Sequence, residues 1–367
     1  MDYRNHVQVL VIGGGPAGSV ASRTLAQHGI DTILIERNLA FRKPCGGGIP
    51  SPAFEELLLP EETIKKRVDR MRIVSPTGNI LDIPLKGGFI AIVDRQEFDS
   101  VLRQEAKRAG VKIIEGEFIG FKDTGRQVTS EVIIAGERVS IRSDYVIASD
   151  GVNSRTRISA GLGPIPSFMT VSEKIDGNTD FCEFWLGSDH APHLYSWVFP
   201  SVNGLSVGTG VIGGGNVNVI MNRFLQKRQL KNNNRIRGYK IPLWKGDTFN
   251  KGNILFAGDA AGQVMPLSFE GIYYAMKSGQ LAAKAVINHR PGDYRKLWRD
   301  KFYKRFLLMR LLWEYFLKSD ERAEKLVELL KRPELQEASM RLWLSKDMSQ
   351  KSLLSYIKHF KSFIVKS

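Results

Sequence analysis

Residues 7–36 read VQVLVIGGGPAGSVASRTLAQHGIDTILIE and combine two apolar runs with a glycine-rich turn. The first run, Val7 to Ile12, has the apolar and β-branched character of a buried strand. Pro16 to Gly29 has the composition of a helix, with proline in its first turn. A second buried strand follows and ends at Glu36. This order predicts the βαβ start of a parallel sheet.

The turn carries Gly13, Gly15 and Gly18 in the spacing G-x-G-x-x-G. Gly13 permits a tight turn, Gly15 lets a pyrophosphate approach the backbone, and Gly18 lets helix and strand pack closely. The helix N-terminus offers N–H groups and a positive dipole end to phosphates. Glu36 lies eighteen residues after Gly18 and can accept hydrogen bonds from a ribose. These features together predict a dinucleotide-binding site.

The composition is that of a globular protein with a sizeable core. The chain has 367 residues, of which 43% are hydrophobic and 25% are charged. Its two cysteines, Cys45 and Cys182, do not make a disulfide framework, so we expect a reducing, cytoplasmic compartment. We expect no cleaved leader, since the first strand begins within the first ten residues.

Positive charge is concentrated toward the C-terminus. The net charge is +15, and from Arg295 onward 18 Lys and Arg stand against 9 Asp and Glu. Apolar residues are threaded through this charge, but Arg310 and Glu314 interrupt the run, so it cannot span a bilayer. The pattern fits an anionic membrane surface or, equally, a packed helix with a solvated basic face. No groove-reading motif accompanies the charge, so we expect no nucleic-acid partner.

Alternation and turn residues predict a second, β-rich part of the chain. Met71 to Pro84 and Gln127 to Val139 alternate around short turns and predict two hairpins. From about Ser167 to Val211, β-branched and aromatic residues predict a separate antiparallel sheet. A long helix is predicted over Gly271 to Asn288, and the remainder is predicted to be mostly helical, with a break at Arg332-Pro333.

Three predicted buried strands end in glycine or acidic residues. These ends are Gly13-Gly14-Gly15, Asp150-Gly151 and Gly258-Asp259. In an open parallel sheet, ligands lie at the carboxyl ends of the strands. Three such ends in one chain suggest one long ligand that crosses all of them. The carboxylate of Asp259 could accept hydrogen bonds from the hydroxyls of a sugar chain.

The sequence resembles the flavin-dependent oxidoreductases related to aromatic hydroxylases over roughly residues 5–290. The motifs that carry the resemblance are Gly13-x-Gly15-x-x-Gly18 with Glu36, Asp94-Arg95-x-x-Phe98-Asp99, Asp150-Gly151-x-x-Ser154-x-x-Arg157 and Gly258-Asp259-Ala260-Ala261-Gly262. The resemblance implies FAD as the cofactor. Glu36 would hold the adenosine ribose, Arg95 would lie near the pyrophosphate and ribityl chain, and Asp259 would bind the ribityl part.

The resemblance also implies contacts at the flavin ring. Pro266 to Ile272 would lie against the ring, and the helix from Gly271 would point its positive end at the pyrimidine side. This chain has Phe269-Glu270-Gly271 at the ring side, a bulkier contact than the Gly-Glu-Gly that the resemblance leads us to expect. No metal site is expected. The residues implied to bind the cofactor are Gly13, Gly15, Pro16, Ala17, Gly18, Glu36, Arg37, Cys45, Gly46, Gly47, Arg95, Asp150, Gly151, Gly258, Asp259, Pro266, Gly271 and Ile272.

Two further motifs look like those of the geranylgeranyl reductase family, which reduces isolated double bonds in isoprenoid chains. They are Pro44-Cys45-Gly46-Gly47-Gly48 and Tyr195-x-Trp197-x-Phe199-Pro200 followed by Gly208-x-Gly210. On a strand, Tyr195, Trp197 and Phe199 would share one face. They would form an apolar wall for a prenyl chain, whose burial yields about 25 cal/mol per Å². Without the flavin motifs, the same three rings would be assigned to the core face of a sheet.

Cys45 is the candidate catalytic residue. A thiol among three glycines could donate a proton or orient the substrate, and it could equally be a small buried filler. Cys182 has no such context and is expected to be a packing residue.

The fold class that follows is α/β (α+β), a Rossmann-like FAD-binding domain with an inserted antiparallel-sheet substrate domain and a helical C-terminal tail. The predicted bounds are residues 1–70, 90–165 and 250–290 for the FAD-binding domain, 71–89 and 166–249 for the substrate domain, and 291–367 for the basic helical C-terminal region.

The expected activity is reduction of isolated C=C bonds in a geranylgeranyl lipid, a prenyl diphosphate or a prenylated quinone. Hydride would come from N5 of reduced flavin, and the proton from Cys45 or an ordered water. The alternatives are a flavin monooxygenase using NAD(P)H and oxygen, and a non-enzymatic flavoprotein or lipid carrier. The electron donor stays open between NAD(P)H and ferredoxin. A membrane-held substrate would give the basic C-terminal region a role at the membrane surface.

Overall fold

The computed structural model describes residues 6–231, 233, 235–246, 248–347 and 349–364. The strands in this part of the chain are β1 (His6–Ile12), β2 (Thr32–Glu36), β3 (Gly48–Pro50), β4 (Ile64–Val68), β5 (Arg70–Val74), β6 (Ile80–Pro84), β7 (Ile90–Val93), β8 (Lys112–Glu115), β9 (Glu117–Thr124), β10 (Val128–Ile134), β11 (Glu137–Ala148), β12 (Ser167–Ile175), β13 (Cys182–Trp185), β14 (Ser196–Ser201), β15 (Gly204–Val211), β16 (Arg237–Pro242), β17 (Asn250–Lys251) and β18 (Ile254–Phe256).

The helices are α1 (Pro16–Gln27), α2 (Pro52–Glu56), α3 (Arg95–Arg108), α4 (Arg155–Ser159), α5 (Val217–Lys227), α6 (Ile272–Ile287), α7 (Asp293–Trp298), α8 (Lys304–Phe316), α9 (Asp320–Leu330), α10 (Pro333–Ser339) and α11 (Gln350–Ile364). Short 3₁₀ turns lie at Glu61–Thr63 and Gly258–Ala261, and π-helical turns lie at Arg299–Tyr303 and Met340–Leu344.

The N-terminal βαβ unit forms as predicted from the glycine spacing. Helix α1 ends at Gln27, slightly before the predicted end at Gly29. Gly29 has a φ of +74°, a left-handed conformation that commonly terminates a helix. The predicted hairpins also form, as β5–β6 and as β10–β11.

An eight-stranded sheet carries this βαβ unit. The strand order is β17-β18-β11-β1-β2-β8, and β10 and β9 extend it from β11. The central strands β18, β11, β1, β2 and β8 are parallel. The register places Ile12 opposite Ile35 and Ala148, and Ala148 opposite Phe256. The three predicted strand ends therefore meet at one edge of the sheet, where open parallel sheets bind their ligands.

Helices α1 and α6 pack closely against each other in this unit. Their contact requires a glycine, because a Cβ on Gly279 would lie 2.1 Å from the Ala17 carbonyl oxygen. Such an approach is available only where a side chain is missing. It fixes the start of α1 against the middle of α6.

A seven-stranded sheet has the order β16-β12-β15-β14-β13-β5-β6. One of its faces packs on α5 through a core of Val171, Ile175, Val198, Leu205, Val207, Met221, Phe224 and Leu225. From β12 to β6 in this order the sheet is antiparallel as predicted except between β13 and β5, which are parallel. A parallel pair needs a long connection, and here β5 and β13 belong to stretches of the chain that are far apart in sequence.

Helices α8 to α11 belong to the compact unit of the seven-stranded sheet, whereas α7 belongs to that of the parallel sheet. The carboxylate of Glu324 accepts a hydrogen bond from the Thr77 N–H at 2.7 Å. Asp320 accepts from both the N–H and the hydroxyl of Ser188 at 2.8 Å. Trp313 Nε1 donates to the His193 carbonyl oxygen at 2.8 Å. Helices α8 and α9 are therefore packed against other parts of their unit. This agrees with the interpretation of the basic region as packed helix with a solvated basic face.

The chain divides into two compact units. The first comprises residues 1–42, 96–167 and 241–303, and the second comprises residues 43–95, 168–240 and 304–367. The first unit holds the parallel sheet, and the second holds the seven-stranded sheet and a three-stranded sheet of order β3-β7-β4. The three-part domain division made from the sequence stays a prediction.

Candidate functional site

The glycine turn between β1 and α1 is closed on one side and open on the other. Gly13 has a φ of +100°, and a Cβ on it would lie 2.4 Å from the Ser149 carbonyl oxygen. A Cβ on Gly18 would lie 1.9 Å from the Gly13 carbonyl oxygen. A Cβ on Gly15 would meet no described atom within 4 Å. The turn therefore leaves an open cradle at Gly15, at the point where a phosphate would approach.

Helix α1 begins at this cradle. Gly15 is its N-cap with an extended conformation, and Pro16 and Ala17 are its first two residues. Proline suits the first helical position, because its missing N–H would have no helical partner there. The N–H groups of the first turn and the positive end of the helix dipole therefore lie beside Gly15.

Glu36 ends β2 beside the glycine turn. Its Oε2 accepts a hydrogen bond from the Gly14 N–H at 2.6 Å, and its Oε1 accepts from the Asn38 N–H at 2.9 Å. Each carboxylate oxygen keeps a further lone pair for a ribose hydroxyl. Arg37, which follows, is exposed. The assignment of Glu36 to a ribose stays a prediction, and the geometry is compatible with it.

The Asp150 side chain organises the loop that follows β11. Asp150 Oδ1 accepts from the hydroxyls of Ser154 at 2.6 Å and Thr156 at 2.7 Å, and Oδ2 accepts from the Thr156 N–H at 3.0 Å. Gly151 beside it has a φ of +82°. The carboxylate of Asp150 thus holds the loop that leads into α4. Its predicted contact with the cofactor stays a prediction.

The third strand end rests on a buried polar network. The Gly258 N–H donates to Ser278 Oγ at 2.8 Å and to Gln263 Oε1 at 3.2 Å, and Gly258 has a φ of +63°. Gln263 Nε2 in turn donates to the Tyr294 hydroxyl at 3.0 Å. Burial raises the pKa of Tyr294, so its hydroxyl stays protonated. This network fixes the backbone from which Asp259 projects.

Arg157 connects the second and third strand ends. Its side chain is buried, and its Nη1 donates to the Ala260 carbonyl oxygen at 3.2 Å while Nε donates to the Gly163 carbonyl oxygen at 3.2 Å. Two of the sequence motifs, the one ending in Arg157 and the one containing Asp259, are therefore linked by a hydrogen bond. The arginine thus ties the backbone of the two strand ends together.

The segment predicted to lie against the flavin ring is conformationally unusual. Leu267 and Phe269 have φ values of +71° and +49°, left-handed conformations that cost an L-residue about 1–2 kcal/mol. Gly271 is the N-cap of α6, and Ile272 is its first residue. Pro266, the first residue of this segment, is buried. Glycine adopts a left-handed φ without strain, so the glycine that the resemblance leads us to expect would suit the position of Phe269.

The second unit presents an aromatic wall on the face of its seven-stranded sheet away from α5. Ser196, Val198 and Pro200 are buried on the α5 side, whereas Trp197 and Phe199 alternate with them and are half-buried. This alternation is the one predicted from period-two spacing. We define the aromatic wall as Phe184, Tyr195, Trp197 and Phe199.

Tyr195 joins the wall without belonging to the strand. The prediction that Tyr195 lies on the strand is wrong, since β14 begins at Ser196. His193 has a φ of +62° and turns the chain just before it. The Tyr195 ring nevertheless packs edge-on against Phe184, with centroids 5.2 Å apart, and Phe184 packs in the same way against Phe199 at 5.2 Å.

Gly208 and Gly210 lie on β15, and Gly208 leaves room for the Trp197 ring, the largest of the wall. Gly208 lies opposite Trp197 in the sheet, and a Cβ on it would lie 2.1 Å from Trp197 Cζ2. A Cβ on Gly210 would lie 2.8 Å from Leu194 Cδ1. Gly208 is therefore a steric requirement of this wall, and Gly210 is one of the packing of Leu194 just before it.

The Cys-Gly-Gly-Gly loop packs against the same wall. A Cβ on Gly46 would lie 2.7 Å from Phe199 Cδ2, and one on Gly48 would lie 3.4 Å from Phe199 Cε2. Gly47 has a φ of +77°, and its N–H donates to Cys45 Sγ at 3.3 Å. The two motifs that resemble the reductase family thus form one contiguous structure. Cys45 is half-buried beside it.

The candidate residues therefore fall into two groups. Gly13, Gly15, Pro16, Ala17, Gly18, Glu36, Arg37, Asp150, Gly151, Gly258, Asp259, Pro266, Gly271 and Ile272 lie in the first unit. Cys45, Gly46, Gly47, Arg95, Tyr195, Trp197 and Phe199 lie in the second, where Arg95 begins α3 with a buried side chain. Cys182, fully buried in β13, is a packing residue as expected, and burial raises the pKa of its thiol.

Sequence reasoning missed two residues that shape these groups. Ser149 Oγ donates to the carbonyl oxygens of Ile12 and Gly13, both at 2.9 Å, and so holds the glycine turn. Phe184 completes the aromatic wall. Phe184 could have been found from its place in the β-rich stretch, whereas no local signal distinguishes Ser149 from other serines. None of the helices in the described ranges is long and apolar enough to cross a membrane.

Comparison with known proteins agrees with this geometry. The family model described as "FAD binding domain" matches residues 6–205, more than half of the chain, so FAD is the cofactor. The open cradle at Gly15, the α1 N-terminus and the carboxylate of Glu36 fit the pyrophosphate and ribose of that cofactor. The enzyme is thus an FAD-dependent oxidoreductase.

Two curated relatives and one solved structure are similar to this chain over most of its length. The geranylgeranyl diphosphate reductase of Rhodobacter capsulatus is 31% identical, with 95% of this chain and 94% of that protein covered. The digeranylgeranylglycerophospholipid reductase of Methanocaldococcus jannaschii is 31% identical, with 95% of this chain and 97% of that protein covered. The structure of a geranylgeranyl bacteriochlorophyll reductase-like protein from Thermoplasma acidophilum matches with a TM-score of 0.85 at 25% identity, over 99% of this chain and 98% of that one.

Proposed function

We propose that this chain, which belongs to the geranylgeranyl reductase family of FAD-dependent oxidoreductases, reduces isolated carbon–carbon double bonds in isoprenoid chains. The observation that carries the proposal is the aromatic wall with the Cys-Gly-Gly-Gly loop packed against it. An unconjugated alkene offers no polar handle, so a protein must recognise it through apolar contact. The wall supplies such contact in a unit separate from the parallel sheet.

The size of the wall suits a prenyl substrate. An aromatic side chain offers about 150–250 Å² of surface, and apolar burial yields about 25 cal/mol per Å². Contact with about a third of one ring is therefore worth about 1–2 kcal/mol. Several half-buried rings together can hold a long apolar chain without any hydrogen bond to it. This reasoning supports the proposal from the chain's own residues.

The chemistry needs a hydride on one alkene carbon and a proton on the other. Bound FAD, once reduced, supplies the hydride. The protein holds the substrate, excludes water and provides the proton. Cys45 is the candidate proton donor, because its thiol belongs to the loop of three glycines that packs on Phe199, where its Sγ accepts from the Gly47 N–H. An ordered water is the alternative donor.

The headgroup of the substrate is proposed only as a class. The relatives named above are a diphosphate reductase and a glycerophospholipid reductase. We therefore propose a prenyl diphosphate or a geranylgeranyl lipid as the substrate, and a prenylated quinone as the third class. The reducing equivalents would come from NAD(P)H or a ferredoxin.

The test is anaerobic turnover of the FAD-loaded protein with excess dithionite. Geranylgeranyl diphosphate and a digeranylgeranyl glycerophospholipid are offered separately, and products are read by mass spectrometry. A gain of two hydrogens for each reduced bond is expected. Products that form only in air and gain one oxygen would instead establish the monooxygenase, and reducible flavin without any product would support a carrier.

The proton donor is tested by two replacements of Cys45. Cys45→Ser keeps a weaker acid at the same place, and Cys45→Ala removes it. If the thiol donates the proton, Cys45→Ala should lower the rate of single turnover by about 10²-fold or more while the FAD content stays full. Cys182→Ala, at the buried packing cysteine, is the matched control. An unchanged rate in Cys45→Ala would assign the proton to water.

The basic C-terminal helices support a further proposal, association with an anionic membrane surface. The net positive charge from Arg295 onward is the support for it. Sedimentation with vesicles of phosphatidylglycerol and of phosphatidylcholine tests it. Binding to the anionic vesicles alone, reversed by salt, is expected, and no binding to either would remove the proposal.

A further inference from the structure

Arg103 on α3 lies behind the glycine turn. Its side chain is 8% exposed, and its Nη1 donates to the Gly14 carbonyl oxygen at 3.0 Å. Its Nη2 donates to the Leu39 carbonyl oxygen at 2.7 Å. A Cβ on Gly14 would lie 3.0 Å from Arg103 Cδ, so the arginine stem packs directly on the turn. One guanidinium therefore joins the turn after β1 to the segment after β2.

Side chains hold both polar backbone groups of Gly14, its carbonyl oxygen and its N–H. The Gly14 carbonyl oxygen also accepts from Ser19 Oγ at 3.1 Å, and the Gly14 N–H donates to Glu36. In a planar trans peptide, the carbonyl of one residue and the N–H of the next point in opposite directions. Fixing the Gly14 carbonyl toward Arg103 therefore aims the Gly15 N–H away from it.

Gly15 has much more open surroundings than Gly14. A Cβ on Gly15 would meet no described atom within 4 Å, whereas Gly14 is enclosed by Arg103, Glu36 and Leu34. The Gly15 N–H thus points out of the enclosed side of the turn, where the N-terminus of α1 also lies. A phosphate at a helix N-terminus binds through such backbone N–H groups.

We propose that Arg103 is a positioning residue for the FAD pyrophosphate. It sets the orientation of the Gly14–Gly15 peptide and anchors the Leu39 segment beside Glu36, so that the N–H groups and the carboxylate face the cofactor before it binds. The guanidinium does not touch the cofactor in this arrangement. The proposal rests on FAD being the cofactor and is independent of the isoprenoid substrate.

A buried guanidinium suits this task for physical reasons. Arginine carries a fixed fork of donors, so one side chain can bind two carbonyl oxygens in a defined geometry. Hydrogen bonds from a charged donor are stronger than neutral ones. Lysine would keep the charge but would reach only one of the two carbonyl oxygens at a time.

The test compares Arg103→Met, Arg103→Lys and the control Arg108→Met. Arg108 lies on the same helix, is exposed and pairs with Glu105 on the surface. Each apoprotein is titrated with FAD by quenching of flavin fluorescence, and separately with ADP in competition with FAD. Thermal unfolding of each apoprotein reports whether the fold is intact.

Arg103→Met should raise the Kd for FAD and for ADP by the same factor, about 10- to 100-fold, because the pyrophosphate is common to both. Arg103→Lys should lie between Arg103→Met and the native protein, and Arg108→Met should match the native protein. If Arg103→Met does not fold, Arg103→Lys decides by the same two titrations.

Three results would overturn the proposal. One is a Kd for FAD within twofold of the native value in a folded Arg103 variant. Another is a lower unfolding temperature with unchanged affinity in the folded fraction, which would make Arg103 merely structural. The third is weaker binding of FAD with unchanged binding of ADP, which would place the effect at the flavin end. Absence of alkene reduction by the native protein, with normal affinity for FAD, would bear only on the proposed function.

Discussion

The stability of the second unit should depend on pH through one buried histidine. His190 is fully buried, and its Nδ1 lies 2.8 Å from Ser196 Oγ. Burial lowers the pKa of His190 from 6.5 to about 4; the nearby Lys227 also lowers it, and Asp189 and Asp320 raise it. The pKa of this group is therefore depressed in the folded protein relative to the unfolded chain.

The sign of the pH effect follows from proton uptake. Between the two pKa values the unfolded chain binds a proton at His190 that the folded protein does not, so acid favours unfolding. The stabilising effect of the neutral imidazole is fully present above the unfolded pKa of 6.5 and is lost as the pH falls toward about 4. From about pH 7 to about pH 5 the loss is about 2 kcal/mol, and the full difference is about 3 kcal/mol.

Urea unfolding of the FAD-saturated protein and of His190→Gln measures this effect. Glutamine can still bond to Ser196 but does not titrate in this range. The free energy of unfolding of the native protein should fall by about 2 kcal/mol more than that of the variant from about pH 7 to about pH 5. Carboxylates titrate in both proteins and cancel in this difference. Equal pH dependence in the two proteins would refute the reasoning.

Three substitutions separate the cofactor site from the aromatic wall. Asp259→Ala should weaken FAD retention strongly, and purified variant with full flavin content would contradict its assigned role. Trp197→Ala should lower kcat/KM for a prenyl substrate by at least about tenfold through lost apolar contact, with the Kd for FAD within about twofold; equal loss of both would make Trp197 structural. Gly46→Ala should displace the Phe199 ring and impair turnover more than FAD binding, whereas Gly238→Ala, whose nearest contact would be 3.5 Å away, should leave both unchanged.

The sequence was most informative where structure is local. The βαβ unit, the hairpins and the alternation through Trp197 and Phe199 all depend on neighbours within a few residues, so periodicity predicts them. Pairing between β5 and β13 depends on tertiary packing, and no local pattern indicates its direction. Tyr195 shows the same limit on a small scale, because the turn at His193 changes where the strand begins.

Residues that position backbone were the least predictable part of the site. Ser149 and Arg103 act on the glycine turn from 136 and 89 residues away, respectively. Neither residue type carries a signal for that role, because serine and arginine are common on protein surfaces. Their contacts became apparent only once the hydrogen bonds of Gly13 and Gly14 were accounted for.

Two charged residues of the sequence motifs bind other parts of the protein. Asp150 and Arg157 belong to a motif that sequence reasoning assigned to a cofactor, yet their side chains bind the protein's own backbone and hydroxyls. If the N–H groups of the glycine turn bind the phosphates, as proposed, the affinity for the cofactor depends on how firmly the turns are held. It follows that conservative substitutions behind the turns, such as Ser149→Ala, should reduce cofactor affinity as much as substitutions of exposed residues beside it such as Arg37.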